Sequence, residues 1–295
     1  MMLTACLTTG LLGAIFSQGQ PMDYARPELL VEPEALQPSE FVVLDARPRG
    51  QYDAGHVPGA LWIDAAEWAK GFDQGQDVEG WQRRVGALGL ELDSKIVIYD
   101  DNLTKDAARM WWILRYWGFE DVRLLNGGWK GWQAATRDIE TKTPAPPPAT
   151  EPNLAPSAAR LATKERLLQA LRSDDLQIID TRSEAEFCGD DALKNKRAGA
   201  IPGAKHLEWV DLLNQDTGRF RDAAELSKLF ADAGIDLHRP AATHCQSGGR
   251  ASVMVFGMEL MGAENVSNYY RSWQEWGNAD DTPIVKGEKN GAEQE

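Results

Sequence analysis

Three cysteines and four histidines are all that a chain of 295 residues offers for thiol or imidazole chemistry. Cys6, Cys188 and Cys245 lie far apart, with no CxxC and no close histidine pair, so neither a zinc site nor a disulfide framework is suggested and no metal is expected. Any cysteine with special chemistry must act alone. Basic residues are also short: 31 Lys and Arg stand against 45 Asp and Glu, a formal charge of -14 that no local basic run offsets. Such a field repels phosphate backbones, which argues against nucleic acid and anionic membranes as partners. Apolar runs of bilayer length are missing too, so no transmembrane span is expected. What remains, 43% hydrophobic and 26% charged residues over 295 positions, reads as soluble and globular and as long enough for two domains with a core each.

The first charged residue is Asp23, and residues 1 to 16 are apolar or small. This stretch suits the apolar part of a secretory signal, although a positively charged start is lacking. Leu3-Thr-Ala-Cys6 is similar to a bacterial lipoprotein cleavage box, with five residues ahead of the cysteine. Residues 1 to 23 are therefore expected to be a signal or a loose N-terminus, and the protein to be exported, periplasmic or lipid-anchored, with the cytoplasm as the alternative.

Residues 141 to 156 hold six of the fifteen prolines, which excludes a packed helix and favours an extended, semi-rigid linker. From residue 286 the chain is charged and aperiodic and reads as a tail. This leaves one domain at 24 to 140 and another at 157 to 285, and the two halves repeat each other. Phe41-Val-Val-Leu-Asp-Ala-Arg47 is echoed by Gln177-Ile-Ile-Asp-Thr-Arg182, and Gly55-His-Val-Pro-Gly-Ala60 by Gly199-Ala-Ile-Pro-Gly-Ala204. Trp129 and Trp132 return 144 positions later as Trp273 and Trp276. The same offset carries Cys245 back to Asp101, so one fold is used twice, with a carboxylate in the first half where the second has a thiol.

Short β-branched runs at 42 to 44, 96 to 99, 122 to 125 and 176 to 179 read as buried strands. Between them, residues 106 to 117 and 223 to 233 carry apolar side chains at helical spacing. The alternation predicts an α/β fold in which each half is a parallel sheet flanked by helices. Ligands in such sheets gather beyond the carboxyl ends of the strands. Residues 241 to 244 read as such a strand, followed by Cys245-Gln-Ser-Gly-Gly-Arg250 and an apolar helix at 251 to 261. A cysteine there meets converging amides and the positive end of a helix, which stabilise a thiolate, and Arg250 adds a fixed charge. Gly248 and Gly249 supply the dihedrals that a ring of inward amides needs. Cys245 is thus the candidate nucleophile, in a cradle made by Gln246, Ser247, Gly248 and Gly249. The bland alternative is a small buried hydrophobe.

Cys245-Gln-Ser-Gly-Gly-Arg250 resembles the Cys-x-x-Gly-x-Arg loop of rhodanese domains, and Asp180-Thr-Arg182 with Ile201-Pro-Gly-Ala204 is similar to that family's other signatures. The first half, with Tyr99-Asp-Asp, residues 109 to 115 and Leu125-Asn-Gly-Gly-Trp129, resembles the inactive N-terminal domain of tandem sulfurtransferases. The resemblance covers about residues 24 to 280. It implies two rhodanese-like domains, the second catalytic, and a double displacement without metal or organic cofactor. Cys245 would take a sulfane sulfur from thiosulfate or 3-mercaptopyruvate as a persulfide and pass it to cyanide or a thiol, a thiol protein among the candidate acceptors. Arg182 and Arg250 would hold the anionic donor, Asp180 would orient Arg182 or cap the turn, and the cleft between domains would help to shape the site. The residues after the cysteine are neither the Arg-Lys-Gly-Val-Thr of tandem thiosulfate enzymes nor the Gly-Ser-Gly-Val-Thr of mercaptopyruvate enzymes, so both donors stay open.

Two other readings compete. A non-turnover sulfur carrier or redox sensor would use the same cysteine without small-molecule catalysis. A cysteine phosphatase or arsenate reductase loop, His-Cys-x5-Arg, has five residues before its arginine where this chain has four, a smaller cradle better matched to one sulfur than to a phosphoryl group. The tryptophans of the first half are expected in the core and between domains, and His56 in a structural turn. Asp101 is expected to help close the inter-domain surface. Cys6 and Cys188 are expected to be dispensable.

Overall fold

The computed structural model describes residues 23–288, so the expected signal and Cys6 lie outside the described residues. In the first half five short strands, β1 (Leu30–Val31), β2 (Val42–Asp45), β3 (Leu61–Trp62), β4 (Ile96–Tyr99) and β5 (Val122–Leu125), pair in parallel in the order β1-β5-β4-β2-β3. Helices α1 (Arg49–Ala54), α2 (Ala65–Gly71), α3 (Val78–Gly86), α4 (Lys105–Tyr116) and α5 (Gly128–Ala134) run between and after them. The second half repeats this plan with strands β6 (Gln177–Asp180), β7 (Lys205–His206), β8 (Ala241–His244) and β9 (Val266–Asn268), in the parallel order β7-β6-β8-β9. Its helices are α6 (Lys164–Ser173), α7 (Glu184–Phe187), α8 (Ala223–Asp232), α9 (Gly249–Leu260) and α10 (Ser272–Trp276).

The central strands are buried without alternation because helices cover both faces: all four residues of β4 and of β8 are buried. Helix starts are fixed locally. Asp64, Asp77, Thr163 and Asp222 each accept the backbone N–H three residues on, at 2.8–3.2 Å. Ser183 and Glu186 form a reciprocal capping box at α7. Each such cap removes an orphan amide and is worth about 1 kcal/mol.

The halves share one core. α4 lies against α9, with Trp111 edge-on to Phe256 at 4.9 Å and Trp112 stacked on Tyr270 at 5.3 Å. Burying a large apolar side chain stabilises by roughly 1.5–3 kcal/mol, so this aromatic seam contributes strongly to holding the halves together. Polar contacts reinforce it: the Tyr24 hydroxyl donates to Arg221 O at 2.7 Å, and Arg219 reaches Glu32 and Glu34.

The observed helices begin one or two residues before the sequence expectation, at Lys105 rather than 106 and at Gly249 rather than 251, because the loop glycine and threonine cap them in left-handed conformations. The proline-rich residues 141 to 156 contain neither helix nor strand, and they are tied down rather than free. Thr150 N donates to Gly86 O and Ala155 N to Trp117 O, while Leu154 is buried. At the other end Gly287 N donates to Phe187 O, so the first residues of the expected tail are docked; residues 289 to 295 lie outside the described residues. No described helix is long and apolar enough to cross a membrane.

Candidate active site

β8 is flanked by β6 and β9, and Cys245 is the residue that follows its last position. Its neighbours turn their carbonyls away from it. Cys245 O accepts from Trp273 N at 2.9 Å, Gln246 O from Gln274 N at 3.0 Å, and Gly248 O from Ser252 N and Asn268 Nδ2, both at 3.0 Å. With these carbonyls engaged, the amides are left to converge, and those of Ser247 and Ala251 help to lower the pKa of Cys245. Gly248 makes the turn possible: its φ is +83°, and a Cβ there would stand 2.7 Å from the Tyr270 ring.

Cys245 is only 1% exposed, and burial by itself would push its thiol up. The charge of Arg250, the Ala251 and Ser247 amides and the charge of Arg109 outweigh that, and the pKa lies below its ordinary value. Arg250 places its charge close to Cys245 and is held by Glu186 through two bonds of 2.6 and 2.8 Å. Gln246 is locked by a double amide pair with Asn195. Behind the cysteine, His244 is fully buried; burial drives its pKa to about 4 against the pull of Asp180 at 3.5 Å, so it is neutral at physiological pH.

The first half holds the same cradle with an anion already inside. Asp100 is buried, and its carboxylate accepts the amides of Asn102, Thr104, Asp106 and Ala107 at 2.7–3.0 Å. Burial raises its pKa to about 6, with the amides limiting the rise, so it is ionised at neutral pH. Ala107 and Ala251 are counterparts at the 144-residue offset, and so are Thr104 and Gly248, both left-handed caps. The offset alone pointed to Asp101; Asp101 is exposed, and the residue that fills the cradle is its neighbour.

A second correction concerns Arg182. Its side chain is 1% exposed and is committed to Asp180 by three hydrogen bonds of 2.5–3.1 Å, to Gly199 O at 2.7 Å, and to the face of Trp273 at 4.1 Å. Arg47 makes the same set in the first half, with Asp45, Gly55 O and Trp129. The same clamp stands in the half without a cysteine, so it serves the fold, and the Nε and Nη2 of Arg182 are already engaged by Asp180 and Gly199 O. Asp180 orients Arg182, as its position suggests.

Three contributors escaped the sequence reading. Ser272 accepts Cys245 N at 3.0 Å and lies 4.0 Å from its sulfur. Glu186 fixes Arg250, and its place three residues after Ser183 was a usable signal. Arg109, on α4 of the first half, donates to Ser247 O at 3.1 Å. It lines a cleft of about 680 Å³ between the halves, together with Ala69, Lys70, Ser247, Tyr270 and Arg271. Of the remaining candidates, Cys188 is buried in a small cluster with Phe187 and Ala200, and His56 is buried and stacked on Tyr52. Among the described residues no group of three His, Cys, Asp or Glu could hold a metal.

A parallel sheet used twice, with one depressed-pKa cysteine cradled by amides at the end of a central strand, defines a tandem α/β protein built for thiolate nucleophilic chemistry. The model of the rhodanese-like domain matches residues 31–135 and 163–279, and the chain belongs to that family. It is 35% identical to a thiosulfate sulfurtransferase of Corynebacterium glutamicum over 90% of this chain and 93% of that one. It is 32% identical to the sulfur carrier protein TtuD of Thermus thermophilus, over 91% and 100%. Among solved structures YnjE superposes with a TM-score of 0.81 at 26% identity, covering 91% of this chain and 71% of that one. EanB solved with ergothioneine gives 0.80, also at 26%, over 91% and 72%. The protein is a rhodanese-like sulfurtransferase.

Proposed function

We propose that the protein moves a sulfane sulfur from thiosulfate to a thiol or cyanide through a persulfide on Cys245. The observation that carries this is the contrast between the twin cradles: one is occupied by the carboxylate of Asp100, the other by the sulfur of Cys245 beside Arg250. A ring that stabilises a resident anion in one half is suited to stabilise thiolate and persulfide anions in the other.

In the first step the Cys245 thiolate attacks the outer sulfur of thiosulfate; the sulfur–sulfur bond of the donor breaks and sulfite leaves with its electron pair. In the second, the acceptor's thiolate or cyanide carbon attacks the outer sulfur of the persulfide, and Cys245 departs as thiolate. No net redox change falls on the protein, and Arg250 remains beside the sulfur in both steps. The names of the relatives favour thiosulfate, with 3-mercaptopyruvate as the competing donor.

The test is steady-state transfer to cyanide with each donor, for the wild type and for Cys245→Ser. Turnover with thiosulfate that the substitution abolishes is the expected result. A second reading, a carrier that delivers sulfur to a protein partner, is favoured by the likeness to TtuD. It gains if neither donor supports turnover while intact mass shows a reducible extra sulfur on Cys245. Absence of both turnover and persulfide overturns the proposal.

A further inference from the structure

The cleft beside the Cys245 loop contains two kinds of cation. Arg271 is neutralised where it stands, bonded to Asp73 at 2.9 Å and close to Glu275 at 3.9 Å, so those carboxylates are consumed as well. Lys70 and Arg109 also line the cleft, and among the described residues neither forms an ion pair with a carboxylate. Both belong to the half without a cysteine. In the catalytic half, Arg182 is bound to Asp180 and Arg250 to Glu186. The uncompensated positive charge facing this cleft therefore comes from the silent half.

Arg109 is held in place. Its Nη2 donates to Ser247 O at 3.1 Å, its guanidinium stands 5.8 Å from the centre of the Tyr270 ring, and the Tyr270 hydroxyl is anchored on Ala69 O at 3.0 Å. Its Nε is buried and has no hydrogen-bond partner. The guanidinium also lies against the first residue of α9, where a Cβ on Gly249 would collide with it. An arginine so placed, with an unused buried donor beside the nucleophile's loop, is a preformed half of an anion contact. Its charge also reaches Cys245 and helps to lower its pKa.

We infer that Arg109, supported by Lys70, is the anion-recognition element of the donor site, so that the silent half supplies donor selectivity while the catalytic half supplies the nucleophile. This deepens the proposed function and rests on it for the identity of the donor. It does not rest on it for the existence of the anion site, and the two can be tested apart.

Cys245 is alkylated in parallel by iodoacetate and by uncharged iodoacetamide, with Cys245→Ser as the control for site of labelling. Both reactions form the same sulfur–carbon bond and expel iodide, so a change in thiolate fraction cancels in their rate ratio. Arg109→Gln is expected to lower the iodoacetate-to-iodoacetamide ratio about tenfold, and kcat/KM for thiosulfate about ten- to a hundredfold, mainly through KM, the size of one lost charge-assisted hydrogen bond. If Arg109→Gln does not fold, Lys70→Gln, at an exposed position, and Arg109→Lys are expected to lower the ratio severalfold. An unchanged ratio with wild-type thiosulfate KM overturns the inference. A falling ratio in a protein whose wild type neither turns over nor forms a persulfide leaves the anion site standing and overturns the proposed function instead.

Discussion

The hydroxyl of Ser272 accepts the backbone N–H of Cys245 at 3.0 Å, and Ser272 does so from a left-handed backbone with φ 54°. Its counterpart in the first half, 144 residues earlier, is Gly128, also at φ 54°. The half that carries Cys245 thus retains a conformation that disfavours a side chain and so places one oxygen behind that cysteine.

Replacing Ser272 by alanine keeps the unfavourable backbone and leaves a buried N–H unpaired, at a cost of about 1–3 kcal/mol. Replacing it by glycine loses the same hydrogen bond but relieves the backbone. Denaturant unfolding is expected to rank the variants wild type, Ser272→Gly, Ser272→Ala, with about 1 kcal/mol between the last two. Equal stability of the two variants removes the claim of strain.

Arg250 is the largest of the influences that lower the Cys245 pKa against burial. In Arg250→Gln the pH dependence of iodoacetamide alkylation is expected to move up by about one unit or more. The linkage follows the same sign. A folded-state pKa below the unfolded value means that ionising Cys245 adds stability in full above the unfolded pKa, and that this is lost as pH falls through the folded one. Cys245→Ser should lack that slope in urea unfolding across this window. An alkylation curve that does not move in Arg250→Gln would show that the amides alone suffice.

Arg182 and Arg47 predict a matched pair of stability losses. Each is the buried cation of a clamp whose carboxylate is left uncompensated when the arginine is removed, which costs about 3–5 kcal/mol. Arg182→Ala and Arg47→Ala are expected to lower the melting temperature by similar amounts. If Arg182→Ala instead melts like wild type and raises only the thiosulfate KM, Arg182 holds the donor after all.

The fold was legible because period and punctuation agreed: buried runs at 96 to 99 and 122 to 125 became β4 and β5 residue for residue, and the Trp129 and Trp273 echo revealed the repeat. The loop from Cys245 to Arg250 was legible because its residues are contiguous. Arg109 and Ser272 were not, since they reach the loop from elements 138 and 27 residues away, and only packing of α4 against α9 and of α10 against the Cys245 loop brings them there. Arg182 was misread for the opposite reason: a short motif shows an arginine but not the Asp180, Gly199 and Trp273 that consume it. Asp100 was missed by one position, because an offset aligns backbones and does not say which neighbouring side chain turns inward.

Asp100 allows the nature of the cradle to be tested without the cysteine. In Asp100→Gly four amides that now meet a carboxylate at 2.7–3.0 Å lose their partner in a buried site. The variant is expected to be destabilised by about 2–3 kcal/mol or more, since each buried donor left unmade carries its own penalty. It also leaves a hole of carboxylate size and charge preference. Added formate, which binds the folded state only, should then raise the melting temperature of the variant in a concentration-dependent way, by mass action, beyond any effect of chloride at equal ionic strength. The wild type, whose hole is filled by its own side chain, should respond equally to both salts. Rescue by formate would establish the loop as an anion receptor in its own right, and equal responses of variant and wild type would show that the four amides serve only to cap α4.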